Sequence, residues 1–257
     1  NLNIMFSTAK GTVRRNALSD FVKIQSSGKI AMKLSDDDKL IGVHTCEEKE
    51  NDVFLSTKDG KCLRFPISNV RKFTGRNSVG VRGIKLSKDD TVISMYILKH
   101  AKFTIDERND YLKIANAIRR KELRRSMPYS KLSKETKLSE EKFIQMESLE
   151  EFILSVADKG YGKRSSAYEY RITSRGGKGI ANMAVSKKTG KVVSSFPVNE
   201  KDDVMLIAGT GKLIRSPVNK IRIAGRTTQG VTLFKVGLSE KVLSAASIKD
   251  LNINSEE

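Results

Sequence analysis

Arginine recurs in this sequence at two fixed distances from glycine. The fourth residue after each of Gly11, Gly60, Gly160 and Gly211 is an arginine: Arg15, Arg64, Arg164 and Arg215. The fourth residue before each of Gly80, Gly179 and Gly230 is also an arginine, namely Arg76, Arg175 and Arg226, whereas Ile24 stands at that position before Gly28. A guanidinium group is a planar fork of donors that meets a phosphate through two contacts at once, so phased arginines suit a polyanion with a regular backbone. They equally suit ion pairs with carboxylates of a neighbouring repeat, and for the Arg15 set both roles stand open. The loop set around Arg76 is expected to be the more exposed. In Arg175-Gly176-Gly177-Lys178-Gly179, three glycines clear the space around Arg175 and Lys178 and let backbone amides approach an anion.

Enzymatic constellations are incomplete. Gly209-Thr210-Gly211-Lys212 has the outline of a phosphate loop, but Leu206 occupies the first glycine position and Leu213 follows the lysine where Ser or Thr is required. Gly177-Lys178-Gly179 lacks a dinucleotide fingerprint because Asn182 replaces the third glycine. His44 and Cys46 lie close together without an oxyanion motif. Two cysteines, Cys46 and Cys62, with His44 and His100, make neither a disulfide framework nor a zinc pattern. Asp36-Asp37-Asp38 and Asp89-Asp90 fall at the same turn of successive repeats, which turn formation explains. No catalytic residue, metal or cofactor is therefore expected in this chain.

The phased glycines belong to a repeat. IMFSTAKGTVRR, VFLSTKDGKCLR, FILSVADKGYGKR and VMLIAGTGKLIR share an apolar run, a turn closing on glycine and a basic strand. The second glycines, Gly28, Gly80, Gly179 and Gly230, follow the first by 17, 20, 19 and 19 residues. Each introduces what reads as a further strand: KIAMKL, VRGIKL, IANMAV and VTLFKV. Short runs of Val, Ile, Phe and Leu bounded by Gly turns are hairpin strands. A unit of about 50 residues built this way is the signature of a propeller blade, which buries its faces only by stacking on others. The expected fold is all-β, propeller-like, with blades at residues 1–47, 48–100, 151–199 and 200–257, the last including a short tail. Residues 101–150 interrupt the pattern. A helix is expected from Asp106 to Arg125, ended by Met127-Pro128, and a weaker one from Glu140 to Phe152.

The charge follows the repeats. Among 257 residues there are 48 Lys+Arg and 30 Asp+Glu, a formal charge of +18. The insertion holds 12 basic and 9 acidic residues, so 15 of those charges lie on the four units. Blades around an axis turn phased cations into a stripe, the footprint of a protein that follows a nucleic-acid backbone. No apolar run approaches the roughly 18 to 20 residues that cross a bilayer, so a cytoplasmic protein without a membrane partner is expected. Asn1 in place of methionine reads as the edge of a fragment.

The stretches FSTAKGTVRRNALSDF, GKIAMKLSDDDKLIGV, SVGVRGIKLSKDD, DKGYGKRSSAYEY and GRTTQGV resemble the C-terminal domain of DNA gyrase A, across all four units and outside the insertion. Thr173-Ser174-Arg175-Gly176-Gly177-Lys178-Gly179 is similar to that family's box but lacks its Gln and first Arg. The resemblance implies a β-pinwheel that exchanges strands between blades and wraps duplex DNA on a basic rim. The phased arginines and the glycine-rich stretch supply the residues expected on such a rim: Arg15, Arg64, Arg76, Arg164, Arg175, Lys178, Arg215 and Arg226. It further implies the remainder of gyrase A, and gyrase B, as partners in an A2B2 assembly at the bacterial nucleoid, with ATP and magnesium used elsewhere in that enzyme for negative supercoiling. None of Tyr96, Tyr111, Tyr129, Tyr161, Tyr168 and Tyr170 follows an arginine, so the family's DNA-cleaving pair is not expected here. The corresponding domain of topoisomerase IV, and a propeller-like scaffold that grips a protein through its insertion, are the alternatives.

Overall fold

A computed structural model describes residues 2–23, 25–100, 102–120, 129, 133, 136–237 and 240–249. Four sheets, each built on three long antiparallel strands, follow one another along the chain. The first contains β1 (Asn3–Thr8), β2 (Thr12–Ala17) and β3 (Leu40–Cys46); the second contains β4 (Asn51–Thr57) and β5 (Lys61–Pro66). Next come the two-residue strands β6 (Lys72–Phe73) and β7 (Val81–Arg82), then β8 (Val92–Lys99), which completes the second sheet. The third contains β9 (Phe152–Ala157), β10 (Tyr161–Ser166) and β12 (Val192–Val198), and the chain forms the short β11 (Ile180–Ala181) between the last two. The fourth contains β13 (Asp203–Ala208), β14 (Leu213–Pro217) and β16 (Val242–Ile248), and the short β15 (Val231–Thr232) lies between the last two in sequence.

Each blade orders its strands the same way, with β3, β8, β12 and β16 at one edge, and these four lie side by side in succession. On that inner edge His44, Tyr96 and Phe196 lie in a row of tilted rings, with centroids 4.9 and 6.2 Å apart. The opposite edges are β2, β5, β10 and β14. Every residue of β4 after Asn51 is buried because both faces of the blade are covered by neighbours. This is why the apolar runs are continuous rather than alternating. Val13, Val53, Leu55, Leu63 and Met95 share one core, while Leu154, Phe196, Val204, Leu206 and Val242 form another.

The segments after the second glycines differ from the expected strands. VRGIKL, IANMAV and VTLFKV each contribute only two strand residues, β7, β11 and β15, and KIAMKL contributes none. These short strands pair with the blade before their own: β7 with β2, β11 with β5, β15 with β10. The amides that follow are diverted to a turn glycine. Gly83 and Ile84 donate to the Gly11 carbonyl, Asn182 and Met183 to Gly60, and Leu233 and Phe234 to Gly160. Glycines of both kinds therefore lie against the backbone of a neighbouring blade. A Cβ on Gly60 would lie 2.4 Å from the Met183 carbonyl, and one on Gly179 would lie 2.5 Å from that of Cys62.

The insertion forms α1 (Ile105–Arg120) and α2 (Glu140–Ser148). Residues 121–128, including Arg124, Arg125 and the expected Met127-Pro128 stop, lie outside the described residues, as do Ile24 and the tail beyond Lys249. Ser139 caps α2 by accepting from the Lys142 amide at 3.3 Å, and the helix stops at Ser148, before the chain enters β9 at Phe152. Tyr111, Ile114, Phe143 and Met146 pack with Tyr168 of the third blade, whose hydroxyl donates to the Met146 carbonyl at 2.9 Å. The helices thus sit on the third blade, next to the point where the chain leaves the second.

Candidate nucleic-acid interface

The arginines four residues after the turn glycines face inward. Arg15, Arg64 and Arg164 are 4%, 2% and 4% exposed. Arg64 donates through Nε to Asp52 at 2.8 Å, and its two Nη atoms reach the carbonyls of Ala167 and Lys99 at 2.9 and 2.7 Å. Arg164 contacts Glu200 at 3.4 Å and donates to the carbonyls of Ile221 and Asn219. Arg15 pairs with Glu48 at 3.0 Å. Ala167 and Asn219 belong to 3-10 turns of the following blade, so Arg64 and Arg164 clamp one blade to the next. Phosphate cannot reach these groups, and the rim role expected for Arg15, Arg64 and Arg164 is corrected to a structural one. Their side chains are buried because each stands on a strand, β2, β5 or β10, over which the following blade packs. Arg215 is different. Its side chain is 64% exposed and pairs only with Asp203 of its own blade at 2.6 Å, because no segment packs over β14 among the described residues.

The loop arginines are half-buried. Arg76, Arg175 and Arg226 each donate through Nη1 to a carbonyl of the blade before, those of Ile30, Arg82 and Ala181. Lys178 is exposed. Near it, sequence reasoning missed a further phased set. Lys72, Arg171 and Arg222 each lie eight residues before a second glycine, and Lys33, Lys85 and Lys235 lie five after one; all six are exposed and their side chains have no partner among the described residues. The same glycine count that revealed the arginines would have found them. Lys72 stands on β6 and the other five on loops between strands. At the first junction Lys10, Arg82 and Lys85 line an open groove of about 410 Å³, floored by Gly80 and Ile84.

The other motifs singled out in the sequence lie in turns or in the core. Burial pushes the Cys46 thiol up to about 11 and that of Cys62 to about 12, and burial lowers the pKa of His44, so no thiolate and base are assembled. Asp38 and Asp90 accept from the amides of Lys10 and Asp59, each closing the preceding hairpin turn. Gly209 to Lys212 is the β13–β14 hairpin turn. Among the described residues no group of three His, Cys, Asp or Glu is placed to hold a metal, and no helix is long and apolar enough to cross a membrane. Tyr168 and Tyr170 are buried, and the Tyr170 hydroxyl donates to Asn182 at 2.8 Å.

Stacked antiparallel blades that exchange short outer strands, with cations repeated along the outer loops, define a propeller-like repeat protein with a basic rim. The family model described as the DNA gyrase C-terminal domain, beta-propeller, matches residues 2–47, 51–99, 151–199 and 202–249 and leaves out the helical insertion; the chain belongs to that family. The DNA gyrase A protein of Rickettsia bellii is 50% identical over 257 residues, covering 100% of this chain and 28% of that protein. The same protein from Granulibacter bethesdensis is 45% identical over 95% of this chain and 27% of its own length. The chain thus spans a little over a quarter of these relatives. A solved DNA gyrase A C-terminal domain superposes with a TM-score of 0.68 at 21% identity, over 97% of this chain and 66% of its own. A topoisomerase IV C-terminal domain gives 0.72 at 18% identity, over 97% of this chain and 62% of its own.

Proposed function

We propose that this chain binds duplex DNA without regard to sequence and bends it along its outer rim, as the wrapping part of DNA gyrase A. The observation that carries this reading is the set of exposed cations at matching positions of the blades, without a side-chain partner among the described residues: Lys72, Arg171 and Arg222, with Lys33, Lys85 and Lys235. Lys178 and Arg215 extend the set. Lysine and arginine held at a regular spacing neutralise phosphates and release counterions, and the cost of bending depends on the deformability of the duplex rather than on base contacts. The chain would act with the remainder of gyrase A and with gyrase B in an A2B2 assembly at the nucleoid, where ATP hydrolysis by gyrase B drives negative supercoiling. The curated relatives at 45–50% identity support gyrase over topoisomerase IV, to which only the fold points.

The test is binding to relaxed plasmid over a salt series, followed by nicking and religation. Neutralisation of about 6 to 8 phosphates gives a slope of log K against log salt of roughly −5 to −7, with trapped writhe after religation. A slope near zero sinks the proposal.

A further inference from the structure

The loops that carry the second glycines also touch one another, and their contacts repeat in register. Arg76 donates through Nη1 to the Ile30 carbonyl at 3.1 Å, Arg175 to that of Arg82 at 3.0 Å, and Arg226 to that of Ala181 at 2.8 Å. Each donor stands four residues before the second glycine of its own blade. Each acceptor stands two residues after the second glycine of the blade before. A return bond runs the other way. The amides of Lys33, Lys85 and Ala184, each five residues after a second glycine, donate to the carbonyls of Ser78, Gly177 and Thr228 at 3.3, 2.8 and 3.1 Å. Each of those acceptors stands two residues before the second glycine of the next blade. Two hydrogen bonds at each of three junctions make one ladder from the first blade to the fourth.

The ladder lies at the outer edge, beyond β2, β5 and β10. Apolar packing between blade faces is non-directional and tolerates rocking about the inner strands. Directional bonds at the largest radius have the greatest leverage over the angle between blades. We propose that this ladder sets that angle, and that Arg76, Arg175 and Arg226 are positioning residues for the basic rim and not phosphate ligands. Lys33 and Lys85 connect the ladder to the rim directly, since their amides are pinned across a junction while their ammonium groups are exposed. The functional consequence rests on the DNA-wrapping reading: the ladder would fix the spacing of the cations and hence the curvature imposed on the duplex.

The angle is measurable without DNA. Spin labels at Lys88→Cys and Lys187→Cys, exposed and equivalent positions in the second and third blades, report it as a distance distribution; Cys46 and Cys62 are buried and do not compete for label. In the 257-residue chain, R175A is expected to widen the distribution at least two-fold. R175K, which keeps the charge but cannot hold the carbonyls of Asn69 and Arg82 together as the fork does, should fall between. An unchanged width in R175A overturns the proposal; if R175A does not fold, an unchanged width in R175K does so. With relaxed plasmid, the triple variant R76A/R175A/R226A should keep its salt slope within one unit of the parent while the writhe trapped per bound protein falls at least two-fold. A slope flatter by between about two and three, the loss expected for three phosphate contacts, overturns the assignment. If the parent chain binds no DNA, the wrapping reading fails alone and the label distances still decide the ladder.

Discussion

The amide of Gly83 donates to the carbonyl of Gly11 at 2.8 Å, which seats the second loop of one blade on the hairpin turn of the blade before it. Asn182 and Gly60 repeat the contact at the next junction. Gly60 and Gly211 both occupy the left-handed region, at φ 75° and 83°, yet a Cβ on Gly211 would meet nothing within 4 Å. Gly211→Ala is expected to cost only the backbone strain, about 1 kcal/mol. Gly60→Ala adds a clash with the Met183 carbonyl and is expected to cost more than about 3 kcal/mol. Urea unfolding of the two variants checks the difference, and equal losses would count against the seat.

The arginine clamps predict a second contrast. Asp52 is fully buried and is held by Arg64 and by His100, the latter at 2.7 Å. Asp52→Ala leaves the Arg64 guanidinium buried without its counter-charge, at an expected cost of about 3 to 5 kcal/mol. Arg215→Ala breaks an exposed pair and should cost less than about 1 kcal/mol. Denaturation midpoints in the absence of DNA measure both, and a large loss at Arg215 would mean that β14 is covered in solution.

The exposed set is expected to act on DNA and not on stability. Lys72→Ala, Arg171→Ala and Arg222→Ala together should flatten the salt slope by between about two and three, one step of roughly 0.9 for each lost phosphate contact. The thermal midpoint should stay within a few degrees of the parent. Filter binding over a salt series gives the slope, and an unchanged slope would remove these three residues from the interface.

Lys163 supplies a pH dependence. Its side chain is fully buried, donating to Ser165 Oγ at 2.6 Å and to the Asn182 carbonyl at 3.0 Å, and burial brings its pKa down to about 8. Between that value and the unfolded value of about 10.4 the unfolded chain binds the extra proton, so stability rises with pH across this window. The full effect is about 3 kcal/mol. The buried thiols oppose it above about pH 9, because their folded pKa values lie above the unfolded one. Lys163→Met, which matches the apolar Leu63 and Ile214 at the same offset from their glycines, should abolish the rise between about pH 8 and 9. Parallel urea titrations of parent and variant at these pH values test it.

Much of the architecture is legible in the glycines. Two phased positive-φ glycines in each unit, four units and a helical interruption follow from residue types and spacing, because a left-handed turn admits few residues besides glycine. What those glycines do was not legible. Gly80 and Val13 lie in contact from different blades, and no period along one chain reveals which neighbour a turn will meet. The arginines show the same limit. Arg15, Arg64 and Arg76 all read as phased cations, but the first two stand on strands covered on both faces while the third stands on a loop.

By itself the sequence determined the repeat, the all-β blades, the insertion and the surplus of positive charge on the repeated units, since these depend on local periodicity and composition. Only the tertiary structure decided which cations face water. Stacking buries the faces that blades turn to one another and divides one regular series of basic groups into two populations. Those between blades must find carboxylates and carbonyls, because a charge without partners is costly away from water. Those at the outer edges, Lys72, Arg171 and Arg222 among them, remain exposed to water.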